Sequence, residues 1–181
     1  MNRKPYFLLG IFLTAGLVVI LVYGLFYASR PGEIPSAQIS QAAKPFQTTT
    51  FDGRPISLKQ FKGQPIILNF WASWCLPCRR EMASLEQLHR LTGESNIKVI
   101  TVNLGEAKDT VIDFVDSIEP APTFPVLLDA NSSSAASWNV KGLPTTYILS
   151  EQGRIVFKAL GGRDFEHPDM IQKIRQLSSV N

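Results

Sequence analysis

The chain has 181 residues, 18 of them Lys or Arg and 15 Asp or Glu, with two cysteines. That length holds one domain with a real core and little besides. Setting aside Arg3 and Lys4 leaves 16 basic against 15 acidic residues, with no basic stripe, which excludes nucleic acid as a partner.

Residues 1–5 carry the positive charge of the N-terminus, and residues 6–28 are 23 consecutive uncharged, mostly apolar residues. As a helix this stretch is about 34 Å long, enough for a hydrocarbon core of roughly 30 Å. Arg3 and Lys4 precede it, while Arg30 and Glu33 cancel after it. The charge bias predicts a single-pass anchor in the inner (cytoplasmic) membrane, N-terminus inside and the rest outside. A cleaved signal peptide fits less well, because the stretch exceeds its usual apolar length and Phe26 occupies the −3 position before Ala28. Residues 29–43, with Pro31, Gly32, Pro35, Ser36, Gln38 and Gln41, lack apolar periodicity and read as a flexible tether.

The domain proper is expected over residues 44–181. The segments 46–51 and 55–58 flank Asp52-Gly53, a favoured hairpin turn. Residues 65–70 form a buried strand, and a helix runs from Cys75 to about Leu91 with Met82, Leu85 and Leu88 on one side. Its polar side is expected to carry Arg79, Arg80, Glu86 and Arg90. Residues 97–102 are a second strand. Asp109 is the predicted cap of a helix with Val111, Ile112, Val115 and Ile118 on one face. A short strand at 124–128 and a short helix at 131–138 follow. The strands 145–149 and 154–160 flank Glu151-Gln152-Gly153, and a last helix starts at Pro168 and buries Met170, Ile171, Ile174 and Leu177. Together these elements predict an α/β sandwich around a mixed sheet.

Both cysteines stand at the strand-to-helix junction, as Cys75-Leu76-Pro77-Cys78. A structural bridge across two residues closes almost no loop and gains little chain entropy, so a working redox couple explains the spacing better. At the helix N-cap, amide N–H groups and the helix dipole favour the Cys75 thiolate. Cys78, one turn inside, is placed to attack a mixed disulfide. Pro77 has no N–H to lose in the first turn. A zinc site needs four ligands, and only His89 and His167 could join the two sulfurs. No metal and no cofactor is therefore expected. Trp71 and Trp74 are read as shaping the rim of the site, with core packing an alternative for Trp71. Arg79 and Arg80 either add positive potential near Cys75 or form a solvated face.

The run Gly142-Leu143-Pro144-Thr145-Thr146-Tyr147 sets a proline at a strand start, where it must sit at an edge or turn. Base rates alone favour a trans bond there. Taken with Trp74-Cys75-Leu76-Pro77-Cys78, about 70 residues earlier, this run resembles a thioredoxin-fold protein. More narrowly, the chain is similar to the membrane-anchored TlpA/ResA/CcmG group of thiol–disulfide oxidoreductases. The resemblance implies that Cys75 attacks, Cys78 resolves and Pro144 is cis beside them, with Leu143 and Thr145 flanking the substrate. It also implies an insertion before that proline, which residues 109–128 could supply. Expected partners are disulfide-containing exported proteins, such as apocytochromes c with their haem-attachment cysteines, and a membrane electron donor of DsbD/CcdA type.

Six residues before Cys75, where thioredoxins carry a buried Asp, stands Asn69, which cannot titrate. Glu81, three residues after Cys78, matches a glutamate of the ResA-like proteins. Desolvation could raise its pKa and let it handle the resolving thiol's proton, unless it is a solvated first-turn residue. Three alternative functions are weighed. A peroxidase of the peroxiredoxin class would carry Pro and Thr/Ser where Leu68 and Ala72 stand. A Sco-like copper chaperone would have three residues between its cysteines. An oxidase of DsbA type would place a His before the second cysteine, where Pro77 stands.

Overall fold

The computed structural model describes residues 16–19, 21, 36–45, 47–93 and 96–178. The chain divides into two units, Met1–Glu33 and Ile34–Asn181. In the first, residues 16–19 and 21 are helical. The anchor expected over residues 6–28 otherwise lies outside the described residues, and among those described no helix is long and apolar enough to cross a membrane.

Among the described residues, the second unit is built on eight strands in one mixed sheet. They are β1 (Ser36–Ala42), β2 (Gln47–Thr50), β3 (Pro55–Ser57), β4 (Ile66–Trp71), β5 (Lys98–Leu104), β6 (Val126–Asp129), β7 (Thr145–Leu149) and β8 (Arg154–Leu160). Their order across the sheet is β1-β8-β7-β4-β5-β6-β2-β3. β4 and β5 pair in parallel, as do β5 and β6, while β7 runs antiparallel to both β4 and β8. Every residue of β4 is buried, as expected for a central strand covered on both faces. The helices are α1 (Leu76–Thr92), α2 (Lys108–Asp116), α3 (Ser133–Ser137) and α4 (Pro168–Ser178). α2 and β6 form the anticipated insertion before Pro144.

The sheet separates two apolar clusters. Ile67, Trp71, Met82, Leu85, Leu88, Val111, Phe114 and Ile174 lie on one side; Leu68, Phe70, Ile100, Leu127, Trp138 and Tyr147 lie on the other. Alternation along β4 sends Ile67 and Trp71 one way and Leu68 and Phe70 the other. Met82, Leu85 and Leu88 are fully buried, each contributing about 2 kcal/mol of transfer free energy.

Three sequence-based expectations are corrected. The tether does not reach residue 43, because Ser36–Ala42 is a strand pairing antiparallel with β8. Backbone hydrogen bonding to the free edge of β8 makes this strand, so no apolar period announces it. Glu86 is not on a polar face: it is fully buried. Its carboxylate accepts Thr123 N–H at 2.7 Å, the Thr123 hydroxyl at 2.8 Å and Arg90 Nε at 2.7 Å. Burial raises its pKa, but these donors outweigh the burial and hold it below the usual value. Asp109 does not cap α2, since the N-cap is Ala107, which makes no side-chain bond. Asp109 lies inside the first turn, where its charge still suits the helix dipole.

Candidate active site

The site forms where β4 ends and α1 begins. The loop 72–74 leaves the buried end of β4, and Cys75 N–H bonds Ala72 O at 3.2 Å to close the turn. Cys75 is the N-cap of α1, its sulfur accepting Cys78 N–H at 3.3 Å. The two cysteines are joined in a disulfide. Cys78 is fully buried and Cys75 is 5% exposed, so the first cysteine is the more accessible. Pro77 stands in the first turn of the helix, half-buried.

Pro144 belongs to the same end of the sheet. Thr145 pairs with Phe70 across β7 and β4, which sets Pro144 level with Trp71 and the start of the cysteine loop. The Leu143–Pro144 bond is cis. Pro144 and Thr145 are buried, and the Thr145 hydroxyl bonds Gly142 O at 2.7 Å. Leu143 is half-buried against the core.

Glu81 is buried, only 2% exposed, and lies one turn beyond Cys78 on the same face of α1. Asn69 Nδ2 donates to Glu81 Oε1 at 2.8 Å and to Thr146 Oγ1 at 3.0 Å, so the residue in the thioredoxin Asp position holds the glutamate. Arg163 N–H donates to Glu81 Oε2 at 3.1 Å. Burial pushes Glu81 up to about 7, against the pull of the Asn69 amide and of the Arg163 N–H and guanidinium. A carboxyl group with that pKa can both accept and release a proton at neutral pH. A cleft of about 640 Å³, lined by Pro77, Arg80, Glu81, Gly162, Arg163 and Glu166, opens beside it.

Of the two tryptophans expected at the rim, Trp74 is 69% exposed next to Cys75, and Trp71 is core, its ring 5.3 Å from that of Phe114. Leu76 is 65% exposed and Leu160 is 42% exposed. Leu160 pairs with Thr145, so these side chains give the site an apolar rim. Arg79 and Arg80 are exposed, with the Arg79 guanidinium 4.7 Å over the Phe114 ring.

The segment Gly161–Arg163, not among the residues expected at the site, also belongs to it. Gly161 N–H bonds Pro144 O at 2.8 Å, and Arg163 N–H reaches Glu81. A Cβ on Gly162 would stand 3.2 Å from both Cβ and the carbonyl oxygen of Pro77. One turn of backbone thus touches the cis-proline, the cysteine loop and the buried acid. The Gly161-Gly162 pair was the available signal, since adjacent glycines after a strand permit such close approach.

A reducible disulfide at a helix N-terminus, with a cis-proline at the neighbouring strand and a buried acid one turn on, defines a thioredoxin-like thiol–disulfide exchanger. Comparison with known proteins agrees. The AhpC/TSA family profile matches residues 39–158. The thioredoxin-like protein YneN of Bacillus subtilis is 36% identical, over 78% of this chain and 85% of that protein. The thiol-disulfide oxidoreductase ResA of Halalkalibacterium halodurans is 31% identical over 90% of each. The crystal structure of StoA from Bacillus subtilis superposes with a TM-score of 0.60 at 27% identity, over 76% of this chain and 98% of that one. The chain belongs to the AhpC/TSA family of thioredoxin-like proteins and, within it, to the TlpA/ResA/CcmG group of thiol–disulfide oxidoreductases.

Proposed function

We propose that this protein is a membrane-tethered reductase of exported protein disulfides. Its electrons come from a membrane dithiol donor of DsbD/CcdA type, and apocytochromes c with oxidised haem-attachment cysteines are the candidate clients. Arg3, Lys4 and the apolar residues 6–28 support an inner-membrane anchor with the redox unit outside. Leu17, Val18, Val19 and Leu21, which are helical, are each more than half exposed. The observation that carries the reading is Cys75 at the α1 N-cap, with Cys78 and Glu81 following on the same helix.

In the reduced state the Cys75 thiolate attacks a client disulfide, forming a mixed disulfide and expelling one client thiolate. Cys78 then loses its proton to Glu81 and attacks the Cys75 sulfur. The second client thiolate leaves, and the Cys75–Cys78 disulfide closes. Two electrons pass from the protein to the client, whose thiolates take up protons from Glu81 and solvent. A membrane dithiol restores the pair by the same exchange in reverse. The exposed Trp74, Leu76 and Leu160 give an extended client segment an apolar landing beside Pro144.

Cys78→Ala stops this sequence at the mixed disulfide. Expressed in membrane-bearing cells, the variant is expected to accumulate a covalent complex with an exported cysteine-pair protein, released by dithiothreitol. Recovery of no such complex, with the variant folded and membrane-bound, would count against a client reductase.

A further inference from the structure

The carboxylate of Glu106, in the turn after β5, has no part in the chemistry above. Its Oε2 accepts Ser73 N–H at 2.7 Å and Asn103 Nδ2 at 2.6 Å, and its Oε1 accepts the Ser73 hydroxyl. Asn103 stands opposite Trp71 in the β4–β5 ladder. One carboxylate therefore ties the end of β5 to the loop that leaves β4. Ser73 is held from its other side too, since its carbonyl accepts Arg79 Nη1 at 3.2 Å. Gly105, at φ +73°, makes the turn that presents Glu106, and its N–H bonds Asp129 O at 3.0 Å.

Trp74 is the one residue between the clamped Ser73 and Cys75. While the disulfide is closed, Cys75 is held both by the loop and by Cys78. Once it opens, the backbone on either side keeps the sulfur against the first amides of α1: the 72–74 turn before it, and the Arg79 N–H bond to Cys75 O at 3.1 Å after it. We infer that Glu106 is a positioning residue for reduced Cys75, fixing the 72–74 turn so that the thiolate stays seated on the helix N-terminus. This rests on Cys75 being the attacking thiol, which the parent protein's alkylation profile tests by itself.

Charge and position predict opposite signs. A nearby negative charge, acting alone, raises a thiol's pKa, so removing it would speed alkylation. Removing a clamp that seats the thiolate would slow it. Glutamine separates the two: its Oε1 can accept Ser73 N–H and Asn103 Nδ2, and its Nε2 can donate to the Ser73 hydroxyl. It loses the charge and keeps the bonds. Among the described residues, other charged groups around the pair are Arg79, Arg80 and Glu81 of α1 and, in the cleft beside Pro77, Arg163, Asp164 and Glu166, all unchanged in these variants.

The experiment follows iodoacetamide alkylation of Cys75 against pH in the full-length chain carrying Cys78→Ala. Glu106→Ala is expected to move the alkylation midpoint up by about one unit and to slow the reaction by up to about tenfold at pH values below the parent's midpoint. Glu106→Gln is expected to stay within about twofold of the parent. Equal slowing by Ala and Gln, or no slowing by Ala, overturns the assignment. If Glu106→Ala does not fold, Ser73→Ala, which removes only the hydroxyl bond, carries the test. It should slow alkylation about threefold, and a parent-like rate overturns the assignment.

Discussion

Cys75→Ser is expected to abolish exchange with disulfide substrates, with turnover falling at least about 10³-fold. A serine hydroxyl does not ionise at neutral pH and cannot form the mixed disulfide, so neither half-reaction survives. Cys78→Ser should behave differently. Its Cys75 keeps the N-cap seat and is expected to complete one attack per molecule before stalling. The check is single-turnover release of thiol from a model disulfide. A burst from Cys75→Ser, or none from Cys78→Ser, would reverse the assigned roles.

Glu81→Gln is expected to change how stability depends on pH. Burial raises the Glu81 pKa from 4.5 to about 7 in the folded chain. The folded state therefore binds this proton more tightly than the unfolded state. Between about pH 4.5 and 7 stability falls as pH rises, and above 7 the full cost of the buried charge is present. A shift of that size corresponds to about 3 kcal/mol. Glutamine carries no charge and keeps an oxygen for the Asn69 amide, but its Nε2 cannot accept the Arg163 N–H. With the disulfide closed, so that the thiols do not titrate, the variant should therefore lie about 1–3 kcal/mol below the parent near pH 4. That gap should move in the variant's favour by about 3 kcal/mol between pH 4 and pH 8. Urea unfolding at both pH values measures this, and an unchanged gap would mean that Glu81 does not titrate in this window. In the reduced enzyme the same variant should lose the limb of the exchange-rate profile near pH 7.

The parts of this fold that follow from local pattern were legible in advance. The apolar run of β4, broken only by Asn69, the three-residue spacing of Met82, Leu85 and Leu88, and the hairpin β7–β8 each state their structure in their own residues. The cysteine pair and the Pro144 strand could be read for the same reason. Missed features depend on partners distant in sequence. β1 is a strand because β8 has a free edge, and nothing in residues 36–42 says so. Glu86 looked solvated until Thr123, 37 positions away, supplied its donors. Glu106 reaches back 33 positions to Ser73, and Arg163 reaches 82 positions to Glu81. Asn69 was recognised as a departure from a titratable Asp, but its use, holding Glu81 with one hand and Thr146 with the other, appears only in the packed core.

The direction of electron flow is the centre of this account, and the reduction potential of the Cys75–Cys78 pair tests it most directly. The full-length protein would be equilibrated with dithiothreitol or glutathione redox buffers and its thiols counted after acid quenching. A reductase of exported disulfides predicts a potential near −270 mV, comparable with thioredoxin. A value near −120 mV, that of a DsbA-type oxidant, would contradict it.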